Sequence, residues 1–140
     1  VDLNATYPGK DGLPIKWEFK QSGTPNVWPQ FKAYNAARRD VVLTAQENFG
    51  RNAEYCIYYA YTELFFEKEC DLWVATGQDD FGKLWIEDAL VWESGKNLKA
   101  WQINEGVRKV HFKVGINRVL CRVENGNNIT EFSLVVSLLP

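Results

Sequence analysis

Val110-His111-Phe112-Lys113-Val114-Gly115-Ile116-Asn117-Arg118-Val119-Leu120-Cys121-Arg122-Val123-Glu124 is the stretch that decides the fold class. Val110, Phe112 and Val114 alternate with His111 and Lys113, a turn residue follows at Gly115, and Val119, Cys121 and Val123 resume the alternation. A period of two is the mark of a strand with one face buried and one face wet, as in antiparallel sheets. Working outward, Ile15-Lys16-Trp17-Glu18-Phe19-Lys20 shows the same pattern. Further strands are predicted over 40–45, 53–62, 71–77, 83–87, 89–92, 117–124 and 130–138. Turn signals such as Pro8-Gly9, Ser22-Gly23, Ser94-Gly95, Glu105-Gly106 and Asn125-Gly126 separate them. A helical turn is expected only at Asn35–Arg39. About nine short strands with polar turns predict an all-β chain, an antiparallel two-sheet β-sandwich, rather than alternating βαβ units. The Cys-Trp-Cys spacing of immunoglobulin domains is missing, which favours the jelly roll.

The chain has 140 residues, the size of a single module (1–140) with one core. It begins at Val1 and contains no Met, so a piece excised from a larger protein is expected. Net charge is −2 with both signs interspersed, unlike the clustered Lys and Arg that track phosphates, so nucleic acid is not an expected partner. No apolar run approaches the roughly 20 residues of a membrane-spanning helix, and membrane insertion is not expected. Cys56, Cys70 and Cys121 lack C-x-x-C spacing; Cys121 reads as a small core residue, while Cys56 and Cys70 are left as a possible pair.

The catalytic inventory is poor. His111 is the only histidine and shares the solvent face with Lys109 and Lys113. No nucleophile elbow, phosphate-cradling glycine loop or H-E-x-x-H motif occurs. Asp79-Asp80 is the conspicuous acidic pair. A glycosidase needs two carboxyls facing each other about 5 to 9.5 Å apart, and neighbours in extended backbone point to opposite sides. Two other roles stay open: ligands for a hard cation such as calcium, which takes roughly 6 to 8 oxygens, or side chains that hydrogen-bond turn backbone.

Leu72-Trp73-Val74-Ala75-Thr76-Gly77-Gln78-Asp79-Asp80-Phe81-Gly82-Lys83-Leu84-Trp85-Ile86-Glu87-Asp88-Ala89-Leu90-Val91 resembles the central hairpin of protective-antigen-type lectin domains and related bacterial jelly-roll modules. Phe81 stands where that pattern has Gly, Gly77-Gln78 where it has Gly-Ser, and Asp88-Ala89 where it has an Asn-Gly or Asp-Gly turn. Tyr7-Pro8-Gly9-Lys10-Asp11-Gly12 with Trp17, residues 52–62, and Gly115–Val123 with Phe132 are similar to modules appended to secreted polysaccharide-active proteins. The resemblance implies a galactose-binding-like jelly roll that holds glycans, with Asp79 and Asp80 joined by a cis peptide, binding calcium and contacting sugar hydroxyls.

Sugar rings stack on aromatic faces, so the six tryptophans need sorting. Trp17 and Trp85 are assigned to the core, and Trp73 to either face. Trp28, Trp92 and Trp101 lie at loops or a strand end and are the stacking candidates. Asn127 and Asn128, in the amide-rich loop after Asn125-Gly126, are candidates to read hydroxyls. Tyr55, Tyr58, Tyr59 and Tyr61 fall on both faces of one strand, one of which should be wet or ligand-facing. The expectation is a monomeric, non-catalytic module, secreted or on the cell surface, that anchors a parent protein to a polysaccharide through these residues. The alternative is a structural or adhesive module packing on neighbouring domains; a free-standing hydrolase ranks last.

Overall fold

The computed structural model describes residues 1–19, 43–44, 54–127 and 130–139. Within these residues run ten strands, β1 (Thr6–Pro8), β2 (Pro14–Lys16), β3 (Leu43–Thr44), β4 (Cys56–Phe66), β5 (Cys70–Gln78), β6 (Phe81–Ile86), β7 (Ala89–Glu93), β8 (Gly106–Phe112), β9 (Gly115–Asn125) and β10 (Glu131–Ser137). One short 3₁₀ turn spans Lys10–Gly12. The chain is an all-β sandwich. One sheet has the order β3-β10-β5-β8, the other β4-β9-β6-β7, and β1-β2 forms a separate ribbon. Every pairing is antiparallel.

Alternation explains the two layers. Along β9, Asn117, Val119, Cys121, Val123 and Asn125 are buried while Arg118, Leu120, Arg122 and Glu124 point outward. The core between the sheets gathers Tyr58, Val74, Leu84, Ile86, Trp92, Phe112, Val119, Cys121, Val123 and Phe132, drawn from both layers. Rings join them directly: Phe66 meets Phe112 at 4.7 Å and Tyr58 meets Phe132 edge-on at 6.0 Å between centroids. Such pairs add about 0.5–1.5 kcal/mol beyond their burial. The core is polar at the end nearest Asp79-Asp80, where Thr76, Gln78, Asn125 and Thr130 are buried, whereas Asn117 is buried at the other end of β9 and Ser133 under the loop that carries Trp101. Several of them are bonded inside: Gln78 Nε2 donates to Thr76 Oγ1 and to Cys121 Sγ, and Thr76 Oγ1 donates to the Ser133 carbonyl. Burial pushes the Cys121 thiol up to about 11, against the Gln78 hydrogen bond, so it is an inert core group. No disulfide joins Cys56 to Cys70.

Three expectations are corrected here. The Ile15–Lys20 strand shrinks to β2 within Pro14–Lys16, Ile15 is 53% exposed and Phe19 90% exposed. Its alternation is real, but β2 pairs only with β1 in a ribbon whose residues are all exposed, so no core lies under its apolar side. Trp17 is half-buried outside the core, edge-on to Tyr61 at 6.2 Å. The stretch 72–91 is not one hairpin: β6-β7 is, with Glu87 in the left-handed region (φ 53) at its turn, whereas β5 and β6 belong to different sheets. Of the predicted 40–45 strand only β3 is described; the Asn35–Arg39 turn lies outside the described residues.

Candidate functional site

Asp79 and Asp80 are the whole connection between β5 and β6, and hence the corner at which the chain passes from one sheet to the other. Their backbones tie the layers together. Asp79 N–H donates to the Glu131 carbonyl of β10 at 2.9 Å, and Asp80 N–H to the Glu124 carbonyl of β9 at 3.1 Å. The peptide bond between them is cis. Thr130 Oγ1 donates to the Asp79 carbonyl and shares a further hydrogen bond with the buried Tyr58 hydroxyl at 3.1 Å. Gly126 N–H donates to Asp80 Oδ2 at 2.9 Å, so the turn after β9 closes over the pair. Lys99 Nζ donates to the Gln78 carbonyl and pairs with Glu105 at 2.6 Å, anchoring the 94–105 loop beside the corner.

Burial holds the Asp79 carboxyl well above the usual carboxylate range, helped by the charge of Asp80, a hydrogen bond to it and the charge of Glu131, and opposed by Lys99. A low-dielectric site with two carboxyls favours a shared proton or a bound cation. The pair offers at most four carboxylate oxygens against the roughly 6 to 8 that calcium takes. Among the described residues no group of three or more His, Cys, Asp or Glu side chains converges to hold a metal. Asp80 Oδ2 and the Asp79 carbonyl are already engaged by Gly126 and Thr130.

The stacking candidates are not brought together. Trp92 is buried, facing its β6 partner Leu84, with Gly106 so close that a Cβ there would lie 2.4 Å from its ring. Its place at a strand end therefore reflects core packing, and its assignment as an exposed stacking ring is corrected. Trp101 is half-buried on the outer side of the other sheet, where its Nε1 donates to Ser133 Oγ at 2.9 Å. Gly77 is glycine because the loop carrying Trp101 lies against it: a Cβ would fall 1.9 Å from the Gln102 carbonyl oxygen. Asn127 is exposed in the loop beside Gly126 and the acidic corner. Trp28 and Asn128 lie outside the described residues.

A different aromatic surface emerges on the outer face of the β4-β9-β6-β7 sheet. Trp85 is not in the core; β6 buries Gly82, Leu84 and Ile86 and turns Phe81, Lys83 and Trp85 outward. Register sets these in rows across β4, β9 and β6: Ile57-Glu124-Phe81, then Tyr59-Arg122-Lys83, then Tyr61-Leu120-Trp85. Tyr58 turns inward, while Tyr59 is 47% exposed, so the tyrosine-rich strand does present one wet face. Trp85 borders two hollows, one of about 630 Å³ with Phe81, Lys83, Glu93 and Arg122, the other of about 320 Å³ with Tyr61 and Arg118. The first row, Glu124 and Phe81, abuts the Asp79-Asp80 corner. The tyrosine run pointed to a wet face on β4, but Trp85 is expected in the core because Leu84-Trp85-Ile86 is apolar on both sides, which hides which parity points inward. The Tyr59-x-Tyr61 spacing was the available signal.

His111 stands on the solvent surface with Nδ1 2.9 Å from Asp71 Oδ1, and Lys109 is 3.4 Å from the same carboxylate. Among the described residues no Ser, Thr or Cys side chain bonds to this ring. No protein-family model matches the chain, and no curated protein matches it either.

Proposed function

We propose that this chain is a non-catalytic carbohydrate-binding module whose ligand lies on the outer face of the β4-β9-β6-β7 sheet. The observation that carries the reading is Trp85, a half-buried indole on the solvent side of a sandwich sheet, with Tyr59, Tyr61 and Phe81 around it and Arg122 and Lys83 between. An aromatic there adds nothing to the core, whereas pyranose C–H faces stack on such rings and their hydroxyls are read by charged and amide side chains. The jelly-roll winding, the secreted setting and the anchoring of a parent protein to a polysaccharide belong to the same proposal, on the strength of the resemblance around Asp79-Asp80. Calcium enters it at that pair, whose carboxylates would supply the first of its oxygens.

Glycan arrays in calcium and in EDTA, followed by calorimetry on the hits, test the proposal. Trp85→Ala is expected to weaken binding by about 10- to 100-fold, in line with the roughly 1–3 kcal/mol of a buried aromatic contact, with the fold intact. Absence of binding to every plant, algal and host glycan in both conditions defeats it. A melting temperature indifferent to calcium removes the cation alone.

The second reading, a structural or adhesive module, has its own support. Trp92 is buried, and Phe65 and Ile116, cross-strand partners on the same outer face, are 69% and 51% exposed. Large apolar side chains so placed suit a neighbouring domain.

A further inference from the structure

Lys83 and Arg122 face each other across the β6-β9 pairing, on the outer side of the sheet. Like charges directly opposite in a sheet repel, so such a pair persists where compensating charge is near. The compensation here is peripheral. Glu93 reaches Lys83 from β7 at 2.6 Å, and Glu124 reaches Arg122 from two residues along β9 at 2.8 Å. Lys96 joins the same hollow, so its described lining holds three cations against two carboxylates. The acids thus sit at the margins and the cations meet in the middle. The Arg122 and Lys83 side chains keep 20% and 34% exposure, enough to be reached from solvent and enough burial to strengthen a charged contact. Phe81 and Trp85 stand on either side of Lys83 along β6, roughly 13 Å apart by strand rise. That span exceeds one pyranose ring.

We infer, resting on the carbohydrate reading above, that the hollow takes an anionic oligosaccharide of at least two to three units, lying along β6 with a carboxylate or sulfate seated over Lys83 and Arg122 and flanking rings against Phe81 and Trp85. The guanidinium fork of Arg122 matches either anion in two-point contact, and Lys83 supplies a point charge beside it. The incoming anion relieves the cross-strand repulsion, so its charge is recognised rather than merely tolerated.

Calorimetry on the full chain tests this with short uronate-bearing oligosaccharides (galacturonate, glucuronate and mannuronate), their methyl esters, a sulfated galactan oligosaccharide and inorganic polyphosphate, each with and without calcium. The acid or sulfated forms are expected to bind at least about tenfold tighter than the matching ester or neutral chain, with affinity falling as salt rises. Comparing uronate with sulfate identifies which anion is the source. Lys83→Gln is expected to weaken the anionic ligand about tenfold and neutral chains by clearly less, so that the acid-to-ester preference shrinks; Lys96→Gln, on the exposed rim, provides a second variant with a smaller effect in the same direction. Equal affinity for acid and ester overturns the inference while leaving carbohydrate binding intact, as does binding confined to neutral glycans. Equal affinity for polyphosphate also overturns it, by showing that charge alone is read. If no glycan of either kind binds, the carbohydrate reading falls with it.

Discussion

Glu87 shows how one side chain secures a turn whose backbone is unfavourable for it. Its φ of 53 places a non-glycine residue in the left-handed region, at the two-residue turn between β6 and β7. The carboxylate answers with contacts to the strand beside it: Oε1 accepts the Arg118 N–H at 2.7 Å, and Oε2 takes Arg118 Nη2 at 2.9 Å and Lys113 Nζ at 3.1 Å. The Arg118 guanidinium, then its N–H and the Lys113 ammonium, hold the Glu87 carboxyl down to about 2 from its ordinary 4.5. Because the folded value is the lower one, the unfolded chain binds the proton more readily, and the contribution is complete above about pH 4.5 and lost as pH falls through about 2. Glu87→Gln is therefore expected to lower the melting temperature at neutral pH, with the gap to wild type closing between those two values. Melting curves across that range decide it, and a gap that does not change with pH removes the carboxylate from the account.

Strand β6 shows where the sequence could be read and where it could not. Alternation announces a strand when one parity is polar, as in β8, and there the outward placement of Lys109 and His111 and the burial of Phe112 were legible. Leu84-Trp85-Ile86 lacks that contrast, so Trp85 reads equally well as core; only pairing with β9 and β7 turns it outward. The same limit, reversed, affected Ile15-Lys16-Trp17, where a clean alternation occurs in a ribbon that no core underlies. The Asp79-Asp80 pair was legible as a special loop from its neighbours. Its partners Glu124, Gly126, Thr130 and Glu131 lie 44 to 52 residues on, and no local pattern joins them to it. The parity of β6 makes a direct comparison of adjacent residues informative. Leu84→Ala, at a fully buried position, should cost about 2–5 kcal/mol through lost burial and the cavity left behind. Trp85→Ala should cost clearly less, because its ring keeps a solvent side. Denaturant titrations of the two variants check the order, and a larger loss at Trp85 places that ring in the core after all.

At the scale of the molecule, the described residues form one core and one appendage. β9 is the spine: it pairs along its whole length with β4 on one side and through Glu124 to Val119 with β6 on the other, and five of its side chains are buried between the sheets. Opening it requires separating the layers. Among the described residues, the β1-β2 ribbon has three paired positions and contributes nothing to the buried core; the edge-on contact of Trp17 with Tyr61 and the Lys10 hydrogen bond to the Glu54 carbonyl at 2.7 Å are two of the contacts that attach this segment. Amide exchange follows the least costly opening available to each hydrogen bond, from near zero free energy for frayed segments up to the global value for a core strand. The amides of Val119, Cys121 and Val123 should therefore exchange only through global unfolding. Those of Tyr7 and Lys16 should exchange about 10³-fold faster or more, since a domain of this kind is stable by roughly 5–15 kcal/mol and local opening of the ribbon requires little of that. Exchange measured by NMR at a pH where the fold is intact separates the cases. Equal protection in the two places would mean that the ribbon unfolds with the sandwich, its attachment through Trp17 and Lys10 being as strong as the core beneath it.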